Sequence, residues 1–156
     1  MRYEIPKEWQ GGEVYVAGSA ESVETRKLAD DVADALEAQG LRVPFRWTAT
    51  DVRAHYLAGR LDLVGQMERL AIRDADLLVV LPGRLGTAIE LGIAIGSGKP
   101  AAVFVVDDLS PRSSSWLAVP FVHTASIDLH RVAEVTPAIV VDHTIRITLA
   151  RRKFPW

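Results

Sequence analysis

Apolar and polar positions along the chain fall into two patterns that alternate with each other. Short, continuous apolar runs predict four buried strands, at residues 13–17, 41–45, 77–81 and 101–106. Apolar residues repeating at helical spacing predict three helices, over residues 22–39, 61–74 and 87–97. Glycines follow the first and third helical stretches, as expected for helix ends.

The remaining segments are less regular. Residues 46–59 show no clean period, so no element is predicted there, and a loop of that size often lines a site. Phe121 and Val122 suggest a fifth strand. Residues 136–151 are interpreted as a last helix, although the apolar residues Ile145 and Ile147 alternate as in a strand.

Strands that alternate with helices build a parallel sheet, because right-handed crossovers place the helices on its two faces. The expected fold class is therefore α/β. It is a single three-layer domain over residues 1–156, with a mostly parallel, five-stranded sheet of the Rossmann/flavodoxin-like type.

Composition narrows the classes of function. The chain has 156 residues, 49% hydrophobic and 24% charged, with a net charge of -2, so we expect neither a nucleic-acid polymer nor a membrane surface as partner. Cysteine is absent, which excludes disulfides and thiolate metal sites. The four histidines show no pair spacing, so no metal and no cofactor are expected. The first residues lack the apolar core of a signal peptide, which favours a cytoplasmic setting.

Ligands of open parallel sheets bind beyond the carboxyl ends of the strands, so the turns that follow the predicted strands are the first places to look. Gly18 and Ser19 follow the first strand and open a helix, where small residues permit close approach. The same turn is also a common strand-to-helix connection. Trp47, in the irregular segment, is a candidate for stacking on a nucleobase.

Glu90 is the strongest candidate for chemistry. It lies one turn into the helix that follows the turn 82–86, at a ligand-binding edge, where the helix dipole favours an ionised carboxylate. A structural alternative remains open, because Thr87 to Glu90 also matches a capping box in which Glu90 bonds the Thr87 backbone N–H.

Glu68 shares an apolar helix face with Val64 and Ile72 and is therefore expected to point inward. A carboxyl on such a face tends to have a raised pKa, as a general acid requires. The alternative is a buried ion pair with Arg26 or Arg73. Two inward carboxyls in different environments are typical of glycosidic-bond cleavage.

Four segments together resemble a known family. They are the strand and turn from Val14 to Ser19, Ala75 to Val80, Gly86 to Ala94, and Gly98-Lys99-Pro100. Their order and spacing are similar to the nucleoside 2-deoxyribosyltransferase-like family, including its 2'-deoxynucleoside 5'-phosphate N-hydrolase branch. Residues 82–90 also resemble the Pro-Gly-Gly-x-Gly-Thr-x-x-Glu motif of the "lonely guy" phosphoribohydrolases.

This resemblance implies roles for particular residues. Glu90 corresponds to the nucleophile that attacks C1', Tyr15 to the tyrosine that orients it, and Glu68 stands where an aspartate helps to protonate the leaving base. Glu21 occupies the position of the arginine that follows the Gly-Ser turn in the nucleotide hydrolases, a departure that weakens the case for a 5'-phosphate. The expected substrate-binding residues are Gly18, Ser19, Trp47, Arg84, Gly86, Thr87 and Ser114.

The resemblance predicts an enzyme that cleaves the N-glycosidic bond of a (deoxy)nucleoside or its 5'-monophosphate through a covalent glycosyl-Glu90 intermediate. Hydrolysis is slightly preferred over base exchange, and a homodimer or larger homo-oligomer is implied. The alternative is a non-catalytic nucleotide-binding sensor or binding module on the same fold.

Overall fold

The computed structural model describes residues 4–83, 85–106 and 127–151. After a short 3-10 helix at Lys7–Trp9, the strands are β1 (Val14–Ala17), β2 (Leu77–Val80), β3 (Ala101–Val106) and β4 (Ile127–Val132). The helices are α1 (Val23–Glu37), α2 (Thr50–Leu57), α3 (Leu61–Asp74), α4 (Leu85–Gly96) and α5 (Pro137–Arg151).

The four strands form one parallel sheet in the order β1-β2-β3-β4. On the other side of β1, an isolated parallel bridge joins Glu13 to Arg42. The chain therefore leaves β1 first toward Arg42 on one side and later returns to β2 on the opposite side. This reversal puts the topological switch point at the carboxyl ends of β1 and β2, where open α/β sheets bind their ligands.

Helices cover both faces of the sheet, as the alternating pattern predicts. Val14 and Val16 of β1 point into a core shared with α1 and α5. Tyr15 and Ala17 point the other way, into a core shared with α3 and α4. The α/β class is thus confirmed, and the alternation of side chains along β1 decides which residues reach the α3–α4 face.

The sheet has four strands in the described part of the chain rather than the predicted five. The segment 41–45 makes only the bridge at Arg42, because Pro44 lacks the N–H that a longer ladder requires. The strand suggested at Phe121 and Val122 lies outside the described residues. The fourth strand is instead β4, which the sequence pattern did not predict.

Helix predictions were confirmed for α1, α3 and α5. In α5 the alternating Ile145 and Ile147 are both buried, although the segment is helical. The prediction of no element in residues 46–59 was wrong, since α2 occupies Thr50–Leu57. Among the described residues, no helix is long and apolar enough to cross a membrane.

Candidate active site

Tyr15 and Glu90 form a hydrogen-bonded pair inside the α3–α4 face. Tyr15 sits in the middle of β1 with its side chain 1% exposed, and its hydroxyl donates to Oε1 of Glu90 at 2.5 Å. The two residues are 75 positions apart in sequence. The pairing of β1 with β2, and the packing of α4 that follows β2, bring them together.

Glu90 lies on α4 and is 8% exposed. Because α4 begins at Leu85, Thr87 is already inside the helix and is not its N-cap. The capping-box alternative is therefore wrong. The Glu90 carboxylate is held across the domain by a tyrosine of the central sheet instead of by its own helix start.

Glu68 reaches the same region from α3. Its side chain is half-buried, and it makes no hydrogen bond or ion pair with another described residue. The alternative of an arginine partner is wrong for both candidates. Arg73 pairs with Asp74 at 2.8 Å, and Arg26 donates to the Ala20 carbonyl at 2.7 Å.

Burial changes the acidity of all three groups. It raises the pKa of Glu90 to about 8, with the charge of Glu68 adding to the rise and the Tyr15 hydrogen bond opposing it. Burial also raises the pKa of Glu68. The pKa of Tyr15 is raised well above 10 by burial and by both carboxylates, so its hydroxyl stays a donor. Glu90 is therefore mostly protonated at neutral pH.

Two aromatic side chains lie near the Tyr15–Glu90 pair. Phe45 stacks on Tyr15 with ring centroids 5.9 Å apart and an interplanar angle of 10°. The Trp47 indole N–H donates to the Val16 carbonyl at 2.8 Å, which fixes its ring against Gly18. A Cβ at Gly18 would lie 3.3 Å from that ring, so a larger residue would push the indole away.

Phe45 was missed by the sequence analysis. It ends the apolar run 41–45, so its position at the carboxyl edge was a signal that could have identified it.

The other predicted binding residues have different surroundings. Ser19 is half-buried, and its hydroxyl accepts from the Glu21 backbone N–H at 3.3 Å. Thr87 is 2% exposed and packs so tightly on Gly83 that a Cβ there would overlap its hydroxyl. Gly86 is exposed. Arg84 and Ser114 lie outside the described residues.

Two histidines meet on the opposite face of the sheet, away from this site. The rings of His130 on β4 and His143 on α5 have centroids 4.0 Å apart, next to Phe104. Burial, together with His143, lowers the pKa of His130. In the part of the chain that the structure describes, no group of three or more His, Asp or Glu side chains could hold a metal ion.

Comparisons with known proteins support the fold. No protein-family model matches the sequence, and no curated protein matches it. By structure, the chain is similar to a CMP N-glycosidase of Clostridium botulinum, BcmB, with a TM-score of 0.60. The two share 18% sequence identity, and the match covers 88% of this chain and 98% of that chain. The chain thus has a Rossmann-like α/β fold that a nucleotide-cleaving enzyme also uses.

Proposed function

We propose that this protein cleaves the N-glycosidic bond of a nucleoside or its 5'-monophosphate, with Glu90 as nucleophile, Tyr15 orienting Glu90, and Glu68 as proton donor. The observation that carries the proposal is the buried Tyr15–Glu90 hydrogen bond at the switch point of the sheet. A carboxylate fixed in this way is held ready to attack a sugar carbon.

The proposed reaction needs only Glu90, Glu68 and a water molecule. An oxygen of ionised Glu90 bonds to C1' as the bond from C1' to the base nitrogen breaks, and the proton of Glu68 passes to the departing base. Water then attacks C1' and gives a proton to Glu68, which frees Glu90 as a carboxylate. A second base in place of water would give base exchange, and hydrolysis is the preferred outcome.

The protonation of the pair fits this sequence of steps. The pair retains one proton at neutral pH, because burial raises the pKa of Glu90 to about 8. The Tyr15 hydrogen bond stabilises the ionised form of Glu90 but is outweighed by burial, so the proposed reaction requires the proton to move from Glu90 to Glu68 when the substrate binds. Positive charge that develops on the sugar in the transition state favours the same arrangement.

The structural similarity adds independent support for the reaction class. BcmB is a CMP N-glycosidase, so a protein of this fold acts on the bond between a sugar and a base. Together with the two carboxyls, that similarity favours a small-molecule nucleoside or nucleotide as the substrate.

A non-catalytic binding module is the second candidate. The observation that favours it is the raised pKa of Glu90, because a carboxyl with a pKa of about 8 is mostly protonated at neutral pH and is then not a nucleophile. Saturable binding without any product would support this candidate.

A substrate panel tests the proposed reaction. The protein is incubated with deoxyribonucleosides, ribonucleosides and their 5'-monophosphates, with and without a free acceptor base, and chromatography measures base release and base exchange. We expect release from at least one substrate. Asp74→Asn, an exposed change at the far end of the helix that carries Glu68, should release base at the parent rate. No release from any substrate would refute the enzymatic function.

We also propose that the chain assembles as a homodimer or a larger homo-oligomer. Large apolar side chains are exposed on the helices α2, α3 and α4, at Tyr56, Leu57, Leu61, Leu70 and Ile89. Exposed apolar side chains of this size are a common feature of protein interfaces.

A further inference from the structure

The start of α1 lies at the edge of the sheet where the proposed substrate would bind. It follows β1 through the Gly18-Ser19 turn, next to the carboxyl end of the strand that carries Tyr15. In folds of this type, a helix start in this position commonly binds phosphate, because its free N–H groups and its dipole attract an anion. The state of these N–H groups therefore bears on whether the substrate carries a 5'-phosphate.

Side chains at the start of α1 already accept hydrogen bonds from several of these N–H groups. Ser22 and Thr25 form a complete capping box, in which each hydroxyl accepts from the other residue's backbone N–H, at 3.1 and 3.2 Å. The Glu21 N–H donates to the Ser19 hydroxyl. The Glu24 carboxylate accepts from its own N–H and from the Ser22 hydroxyl, and both interactions lower its pKa. A phosphate would have to displace these contacts.

The charges at this helix start are also unfavourable for phosphate. Glu21 and Glu24 place two carboxylates at the positive end of α1. Arg26 is directed to the Ala20 carbonyl, where it ties down the loop. The cationic side chain nearest in sequence is thus already engaged with the backbone.

We infer that Glu24 and the Ser22–Thr25 capping box select against a 5'-phosphate, so that the substrate is an unphosphorylated nucleoside. This inference rests on the proposed function. Glu24 acts as a specificity-determining residue through its charge. The capping box acts by occupying the Ser22 and Thr25 amides, which are then not free to bind a phosphate.

The inference is tested with pairs of ligands that differ only in the 5'-phosphate, and with a variant that lacks one negative charge. Calorimetry measures the affinity of the parent and of Glu24→Gln for thymidine, 2'-deoxyadenosine and their 5'-monophosphates, at low and at high salt. We expect the parent to bind each nucleoside more tightly than its monophosphate. In Glu24→Gln that preference should fall on the order of tenfold, because a carboxylate near a dianion repels it. High salt should reduce the preference in the parent and have less effect in the variant.

The control removes the same charge from the same helix at a greater distance. Asp31→Asn, seven residues further along α1 and paired with Lys27, should keep the parent's preference. Tighter binding of monophosphates by the parent, an unchanged preference in Glu24→Gln, or no binding of any of the four ligands would overturn the inference. Nucleoside preference without base release would support it and refute only the proposed catalysis.

Discussion

At the scale of single residues, one hydrogen bond decides how Glu90 is interpreted. Local sequence favoured a capping role as much as a catalytic one, and only the long-range contact with Tyr15 separates the two. The inward direction of Glu68 was predictable, since helical spacing alone places it beside Val64 and Ile72. Its missing arginine partner was not predictable, because spacing along one helix says nothing about what neighbouring segments offer.

The coupled carboxyls predict a pH dependence. The pair must hold one proton to act as both nucleophile and acid, and the last proton leaves as pH rises through about 8. We therefore expect kcat/KM of the parent to fall above about pH 8.

Glu68→Gln tests this assignment. It removes the acid together with one cause of the raised pKa of Glu90, so kcat/KM should fall roughly 10²- to 10⁴-fold and lose its alkaline limb. Asp74→Asn should retain the profile of the parent, as a matched loss of charge on α3. An alkaline limb at the same pH in Glu68→Gln would show that Glu68 does not belong to the coupled pair.

At the scale of elements, the buried segments were predictable and the exposed ones were not. β2 is a continuous apolar run because both of its faces are buried, and α3 shows a helical period because one of its faces is buried. The helix α2 buries only Val52, and none of the residues of edge strand β4 is fully buried, so neither pattern is strong. The helix α4 begins at Leu85, inside the segment that a Pro-Gly sequence marked as a turn.

At the scale of the whole molecule, strand order brings the site together. β1 pairs in parallel with β2, and the chain reverses direction at β1 toward Arg42. Together these features place β1, which carries Tyr15, and α4, which carries Glu90, at the carboxyl edge of the sheet. Alternating strands and helices predicted this architecture, because βαβ connections have a fixed hand. Sequence alone could not predict which exposed residues would form the proposed interface, since single exposed apolar residues are normal in any chain.

The proposed homo-oligomer makes a prediction at this scale. Light scattering should give a mass at least twice the 17.1 kDa of one chain. Leu57→Lys should lower this mass toward that of a monomer, because it replaces a large exposed apolar side chain of α2 with a charge. Val23→Lys, an equally drastic change at an exposed position of α1, should leave the mass unchanged. A parent protein with the mass of one chain would contradict the proposal.

The central claim is that Glu90 bonds covalently to the sugar, and the mass of the protein during turnover tests it most directly. The parent is mixed with a cleaved nucleoside, quenched in acid within the first turnovers, and analysed by intact mass and peptide mapping. We expect a mass increase equal to the bound sugar, located on the peptide that contains Glu90, and Glu90→Ala should show no adduct and at least about 10³-fold slower base release. Base release by Glu90→Ala at the parent rate, or an adduct on another residue, would contradict the account.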